Sequence, residues 1–293
     1  YGYPNIHLPS VTPQQRINAY PAQEAGQVQQ YAAEYYDLHP ASGNRGMLNI
    51  RFSGSPTVRL VGNDPQGSAD EWWGNRADNL DSTLTRAFDL SSLQGQHATL
   101  QFAAWFDLEQ AHDYAYVEVS SDGGVHWKTL PGSTTSTANP LGLNLGNGYT
   151  GTSGGGATPG WVQESVDLSM YAGKKIQVRF EEVTDESVHL QGFALDQIRI
   201  PELHFQDDLS TDNGWVSAGF VRSNNILPEQ YLVQAIVYSG SHIAVQTMRV
   251  NMATAQGTLA VPHFGNQVTR VVLIVAAYAP ETTLQAHYQL TIS

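Results

Sequence analysis

The feature that most constrains this chain is a long series of short apolar runs repeating at every second residue. Leu48-Asn49-Ile50-Arg51-Phe52 alternates, Gly54-Ser55-Pro56 supplies a turn, and Val58-Arg59-Leu60 follows. A period of two puts alternate side chains on one face, which suits a half-buried strand and not a helix of 3.6 residues per turn. The same pattern predicts strands at residues 84–90, 99–106, 114–120, 161–167, 175–183 and 193–200, each bounded by Gly, Asp, Asn or Ser. A second block opens near Pro201, with strands expected at 215–222, 231–238, 243–251, 258–261, 268–277 and 287–292. Six strands in about 90 residues is the spacing of a small immunoglobulin-like sandwich. Residues 29–38 read equally as a turn of helix or a strand. Residues 131–160, with nine glycines among Ser, Thr and Asn, read as a large surface loop. The expectation is an all-β chain of two sandwiches, over 31–202 and 203–293, behind an extended lead segment or linker at 1–30.

Composition narrows the function. The 293 residues are enough to bury a core without help from disulfides or metals. The net charge of −13, with only three lysines (Lys128, Lys174 and Lys175), argues against nucleic acid and against an anionic membrane surface. It leaves carboxylates free for hard cations. The lack of cysteine removes thiol catalysis, zinc–thiolate sites and disulfides. The longest apolar run, residues 271–279, is far short of the roughly 20 residues that span a bilayer as a helix. Tyr1-Gly2-Tyr3-Pro4 reads as a cut end, so a processed, extracellular piece is expected.

Catalytic motifs are absent. The sequence holds no H-E-x-x-H, no G-x-S-x-G and no P-loop. Ser120-x-Asp122-x-Gly124-x-x-Trp127 matches the Asp-box of sialidase-type propellers, but a single copy reads as a hairpin turn. Adjacent acids such as Glu181-Glu182 and Asp207-Asp208 are expected by chance among 27 acidic residues. Trp72, Trp73, Trp105 and Trp161 would serve either as a sugar-stacking platform or, more ordinarily for a sandwich, as core.

Acids at strand ends carry more information. Asp196 shares the face of Ile198 and Ile200, and Asp113 shares the face of Ala115, Val117 and Val119. A carboxylate aimed at a core is costly unless it is paired or bound to metal. With Glu109, and with Asp78 and Asp81 from the 75–81 loop, these acids offer enough oxygens for Ca²⁺. The competing reading is an ion pair between Asp196 and Arg86, which lies on the apolar parity of Leu84 and Phe88.

Several of these segments together resemble the C-terminal region of the immune inhibitor A family of secreted bacterial metallopeptidases. They are Glu71-Trp72-Trp73-Gly74-Asn75-Arg76-Ala77-Asp78, Leu84-Thr85-Arg86-Ala87-Phe88-Asp89-Leu90, the run from Asp113 through Gly124, Asp167-Leu168-Ser169-Met170-Tyr171-Ala172-Gly173-Lys174, and Gly192-Phe193-Ala194-Leu195-Asp196. The resemblance runs over 31–201 and more loosely to the end. It implies a jelly-roll-like β-sandwich that binds structural calcium, followed by the smaller immunoglobulin/fibronectin-like sandwich. It places ligand roles on Glu109, Asp113 and Asp196, with Asp78 or Asp81. The family's second acid after Asp196 is here Gln197, and its peptidase domain has no counterpart in this chain. The resemblance implies a non-catalytic, calcium-stabilised extracellular module that recognises a cell surface or polymer. The alternatives are a structural subunit of a filament or surface assembly, joined to copies of itself through the N-terminal segment, and a hydrolase without a recognisable motif. For the filament, residues 1–21 would dock as an extended segment anchored by Tyr3, Ile6 and Leu8.

Overall fold

The computed structural model describes residues 12–43 and 46–293, and almost every regular element is a strand. Each expected strand region holds strand, but 215–222 divides into Val216–Ala218 and Val221–Ser223, and 243–251 into His242–Thr247 and Val250–Asn251. Tyr114–Ser120 and Lys175–Val183 occupy the predicted residues, and most others differ by one to three residues at an end. The chain divides into two compact units, one of residues 62–225 and one joining residues up to 61 with 226–293.

The inserted unit, 62–225, has two antiparallel sheets. One runs Lys128–Thr129, Tyr114–Ser120, Lys175–Val183, Asp81–Asp89, Val216–Ala218; the other runs Val162–Asp167, Thr99–Asp107, Gly192–Ile200, Glu71–Trp73, Val221–Ser223. Their inward residues form one core, in which the Phe102 and Phe180 rings meet edge to face at 5.0 Å. The alternation does this directly: Ile176, Val178 and Phe180 of one strand and Ala115, Val117 and Val119 of its neighbour are all buried. The glycine-rich stretch 131–160 is mostly irregular, as expected. It is nevertheless held, because Tyr149 is buried in the core and Glu164 accepts hydrogen bonds from the Ser133 amide, the Thr134 hydroxyl and the Tyr149 hydroxyl.

The discontinuous unit corrects the expected boundaries at 30 and 202. Its sheets are Gln15–Ile17, Ala33–Leu38, Arg270–Ala277, Tyr231–Ser239, His242–Thr247, and Ala22–Val28, Ala286–Ile292, Gly46–Gly54, Gln256–Phe264, Val250–Asn251. Residues 15–28 are therefore strands of a sandwich and not a linker. Ala22–Val28 pairs antiparallel with Ala286–Ile292, and Ile17 and Val28 are buried. The physical reason lies in what the C-terminal strands lack: alone they form only part of each sheet, and the N-terminal strands supply the missing edges. Gly26 fits this pairing because the Tyr288 ring lies against its Cα; a Cβ there would sit 2.4 Å from the ring. Tyr36 and Tyr288, from facing sheets, share a hydroxyl hydrogen bond of 2.9 Å. Residues 29–38 resolve as the strand Ala33–Leu38. The proposed anchors Tyr3, Ile6 and Leu8 lie outside the described residues.

Candidate metal centres

Two pairs of inward carboxylates stand out in the inserted sandwich. The first is Glu71 and Asp196. Trp73 pairs with Ala194 and Trp72 with Leu195, and continuing that register sets Glu71 across from Asp196. Both are 0 % exposed. Asp196 is well supplied with donors: the Gln66 amide donates to Oδ2 at 2.5 Å and the Gln197 amide to Oδ1 at 2.6 Å. A bulge just after Asp196, with Gln197 at φ +54°, turns that second amide toward the carboxylate. Glu71 has no such support, and neither of its oxygens has a hydrogen-bond partner. Burial, then the charge of Asp196, push its carboxyl up to about 8, against the opposing influence of the nearby Asn63 amide.

The loop above this pair is stitched down at several points. Asn225 Nδ2 donates to Asn63 O at 2.7 Å and to Asn63 Oδ1 at 2.5 Å. Trp161 Nε1 donates to Asp64 O at 2.7 Å, and Gln197 Nε2 to Gln66 O at 2.6 Å. The first and last residues of the inserted unit are thus joined beside its most buried acids.

The second pair is Asp113 and Glu182. Glu182 continues the inward series Ile176, Val178, Phe180, and Asp113 continues Ala115, Val117, Val119, as the sequence parity indicated for Asp113. Asp113 is 1 % exposed and Glu182 0 %. Asp113 Oδ1 accepts the Asp185 amide at 3.0 Å, and Glu182 Oε2 accepts the Phe193 amide of the opposite sheet at 3.3 Å. Asp113 Oδ2 and Glu182 Oε1 have no hydrogen-bond partner. Burial first, and neighbouring acids after it, raise both carboxyls above their usual range, Glu182 well above it. Near the surface beside Asp113, Glu109, His112 and Asp185 gather with potential ligand atoms all within 4.8 Å of one another. His112 Nδ1 lies 2.8 Å from Asp185 Oδ2, and that contact raises the imidazole above its ordinary value.

The five predicted ligands are therefore dispersed. Glu109 and Asp113 share one end of the sandwich. Asp196 lies four residues along its strand from Gly192, a rise of about 13 Å. Asp78 Oδ1 lies 2.6 Å from His189 Nδ1, half-exposed, and Asp81 is exposed at the start of Asp81–Asp89. The Arg86–Asp196 ion pair is not formed. Arg86 stacks over the Phe205 ring at 4.4 Å and the Phe88 ring at 5.3 Å, and the acid whose charge it feels is Asp207. Trp72, Trp73 and Trp105 are core residues, which leaves Trp161, half-buried, as the one of the four that reaches the surface. The Asp122 segment is a hairpin turn, as expected: its carboxylate accepts the Val125 and His126 amides, and Gly123 and Gly124 take positive φ.

Sequence reasoning missed Glu71 and Glu182. Glu182 was detectable, since the alternation from Ile176 runs into it. Glu71 was not, because Glu71, Trp72 and Trp73 are all buried and show no alternation. Glu71 Oε1 and Oε2, Asp113 Oδ2 and Glu182 Oε1 are buried acceptors without a hydrogen-bond partner, a condition that a proton, a donor group or a hard cation would each relieve.

Residues 42–225, more than half of the chain, match the family described as Immune inhibitor A-like, MAM domain. The chain belongs to that family. The match ends at the last residue of the inserted sandwich and begins within the discontinuous one. Among curated proteins this MAM-family chain is similar to the pre-pro-metalloprotease PrtV of Vibrio cholerae, 30% identical over 145 residues, which are 50% of this chain and 14% of PrtV. It is similar to immune inhibitor A of Bacillus thuringiensis subsp. alesti, 27% identical over 224 residues, 74% of this chain and 30% of that protein. Bacillopeptidase F of Bacillus subtilis is 32% identical over 99 residues, 34% of this chain and 5% of that protein. The chain thus spans less than a third of each of these relatives.

Proposed function

We propose that this chain is the non-catalytic accessory region of a secreted metalloprotease, stabilised by calcium and acting by recognition of an extracellular surface or polymer. The observation that carries this reading is the family match across the whole inserted sandwich, in a sequence without H-E-x-x-H. Calcium would be held by Glu71 and Asp196, with Asn63 and Asp64 beside them. It would supply the positive charge that the buried Glu71 oxygens lack, and hold together the chain segments that open and close the sandwich.

Support for recognition comes from the discontinuous unit. The outer face of its sheet around Gly46–Gly54 carries a shallow groove of about 730 Å³ lined by Arg51, Ser53, Arg249, Gln256, Thr258, Gln289 and Thr291. Two cations among amides and hydroxyls, in a chain of net charge −13, suit an anionic hydroxylated polymer. The filament reading has less support, because residues 15–28 already pair within their own sandwich. The test is affinity electrophoresis of the whole chain in gels cast with chondroitin sulfate or neutral dextran, beside a casein assay with zinc supplied. Retardation by the anionic polymer that Arg51→Ala with Arg249→Ala abolishes is expected, with no cleavage of casein. Unretarded migration in both gels removes the recognition role, and casein cleavage removes the accessory one.

A further inference from the structure

We infer that the free edge of the discontinuous sandwich, the strand His242–Thr247, pairs antiparallel with the same strand of a second copy of this chain, about a two-fold axis through Ala244. Four observations carry this. First, the strand is an open edge. It ends its five-stranded sheet, where it pairs with Tyr231–Ser239, and among the described residues no strand lies on its outer side. The row of backbone donors and acceptors along such an edge is a template for another strand.

Second, this edge lacks the devices that keep edges apart. Two other long edges, Ala22–Val28 and Val162–Asp167, carry acids: Glu24 in one, Glu164 and Asp167 in the other. His242–Thr247 runs in unbroken register with no acid, lysine or proline. No Asp or Glu occurs from residue 230 to residue 280, although the chain holds 27 acids. Two copies of a chain with net charge −13 repel each other in general, and at this edge they meet without facing acids.

Third, the outward face beside the edge is apolar, where the solvent face of an antiparallel sheet is ordinarily polar. The register sets Ile236 between Val245 and Val272, and Tyr238 between Ile243 and Arg270. Ile243 is 57 % exposed and Val245 60 %. The charges on this face lie two and three strands in from the edge and neutralise each other: Arg270 donates to Asp37 at 2.6 Å and stacks on the Tyr238 ring at 5.1 Å.

Fourth, the strand is complementary to itself. With Ala244 on the axis, Ile243 faces Val245 of the second copy, Val245 faces its Ile243, and His242 faces its Gln246. Directly opposed residues share one side of a sheet, so the outward row Val272–Ile236–Val245 continues into Ile243, Tyr238 and Arg270 of the second copy. An axis through Val245 would instead oppose Ile243 to Thr247. Such an isologous contact satisfies both edges at once and closes at two chains, unlike the head-to-tail contact that makes a filament.

Sedimentation velocity of the whole chain over a range of concentrations tests this, with Val245→Lys and Ile243→Lys as variants. The parent is expected to pass from one chain to two and no further. Each variant should stay monomeric at the parent's melting temperature, since both side chains are exposed. Oxidative crosslinking reads the register, because the chain has no cysteine of its own. Ala244→Cys, on the axis, should link two copies, and Thr247→Cys, about 20 Å from its counterpart along the strands, should not. A parent that is monomeric at every concentration overturns the pairing, as does a dimer that either lysine variant keeps. Growth beyond two chains overturns the closed two-fold, and a link through Thr247→Cys in place of Ala244→Cys overturns the register.

Discussion

The backbone amide of Gln66 donates to Asp196 Oδ2 at 2.5 Å across 130 residues of sequence. That bond ties the loop at the start of the inserted sandwich to one of its last strands, beside a glutamate, Glu71, whose oxygens have no donors. The two acids of the pair thus differ: Asp196 is held by backbone amides, and Glu71 is the one whose carboxyl burial pushes up.

The pH dependence has a definite sign. Glu71 is raised from 4.5 to about 8 in the fold by burial and by Asp196, so between those values the folded state binds more protons than the unfolded one. In EDTA, stability should therefore fall as pH rises from about 5 to about 8, and calcium should flatten the dependence. Differential scanning calorimetry at four pH values with and without chelator measures it. A melting temperature in EDTA that rises over this range contradicts the assignment.

Chelation at pH 7.5 should lower the melting temperature of the inserted sandwich. A ligand at one hundred times its dissociation constant contributes about 2.7 kcal/mol. For a unit of this size each kcal/mol corresponds to about 2–4 °C, so a drop of roughly 5–10 °C is expected. Glu71→Gln should reduce that response while melting no lower than the parent in EDTA.

Asn225→Ala should destabilise the inserted sandwich without touching any carboxylate. Its side-chain amide donates to both oxygens of Asn63 and is 1 % exposed, so removal leaves buried acceptors unpaired at a cost of about 1–3 kcal/mol. Thermal unfolding in excess calcium reads the loss. An unchanged curve means that the two ends of the unit are held by other contacts.

Gly26→Ala and Val28→Ala should each lower the unfolding transition of the discontinuous sandwich and leave that of the inserted one in place. The first drives a Cβ into the Tyr288 ring; the second opens a cavity costing about 2 kcal/mol beside Ala286. Hydrogen exchange resolved by segment checks both, with faster exchange expected in Ala286–Ile292 and Gly46–Gly54. Unaltered exchange there would return residues 15–28 to the status of a linker.

Much of the architecture is local in origin and was legible. Alternation identifies Lys175–Val183 because its alternate residues enter the core, and in Tyr114–Ser120, buried along its whole length, Ala115, Val117 and Val119 still mark the core face, the parity that turns Asp113 inward. It carries Glu182 inward too, though adjacent acids invite dismissal as chance. Gly123, Gly124 and Asp122 announce their hairpin because only such residues meet its φ and hydrogen-bond demands.

What tertiary structure alone decided is pairing between distant segments. Nothing local in Ala22–Val28 says that its partner is Ala286–Ile292, since a Gln- and Ala-rich strand owes its place to the edge it completes. The same holds for the acids. Alternation places a carboxylate on a face, but only the register of Glu71–Trp73 against Gly192–Ile200 sets Glu71 beside Asp196, and only the opposite sheet's register separates Asp113 from both. Side-chain direction follows from covalent geometry, which every residue carries with it. Which charges meet follows from strand order, set by the burial that the whole chain achieves together.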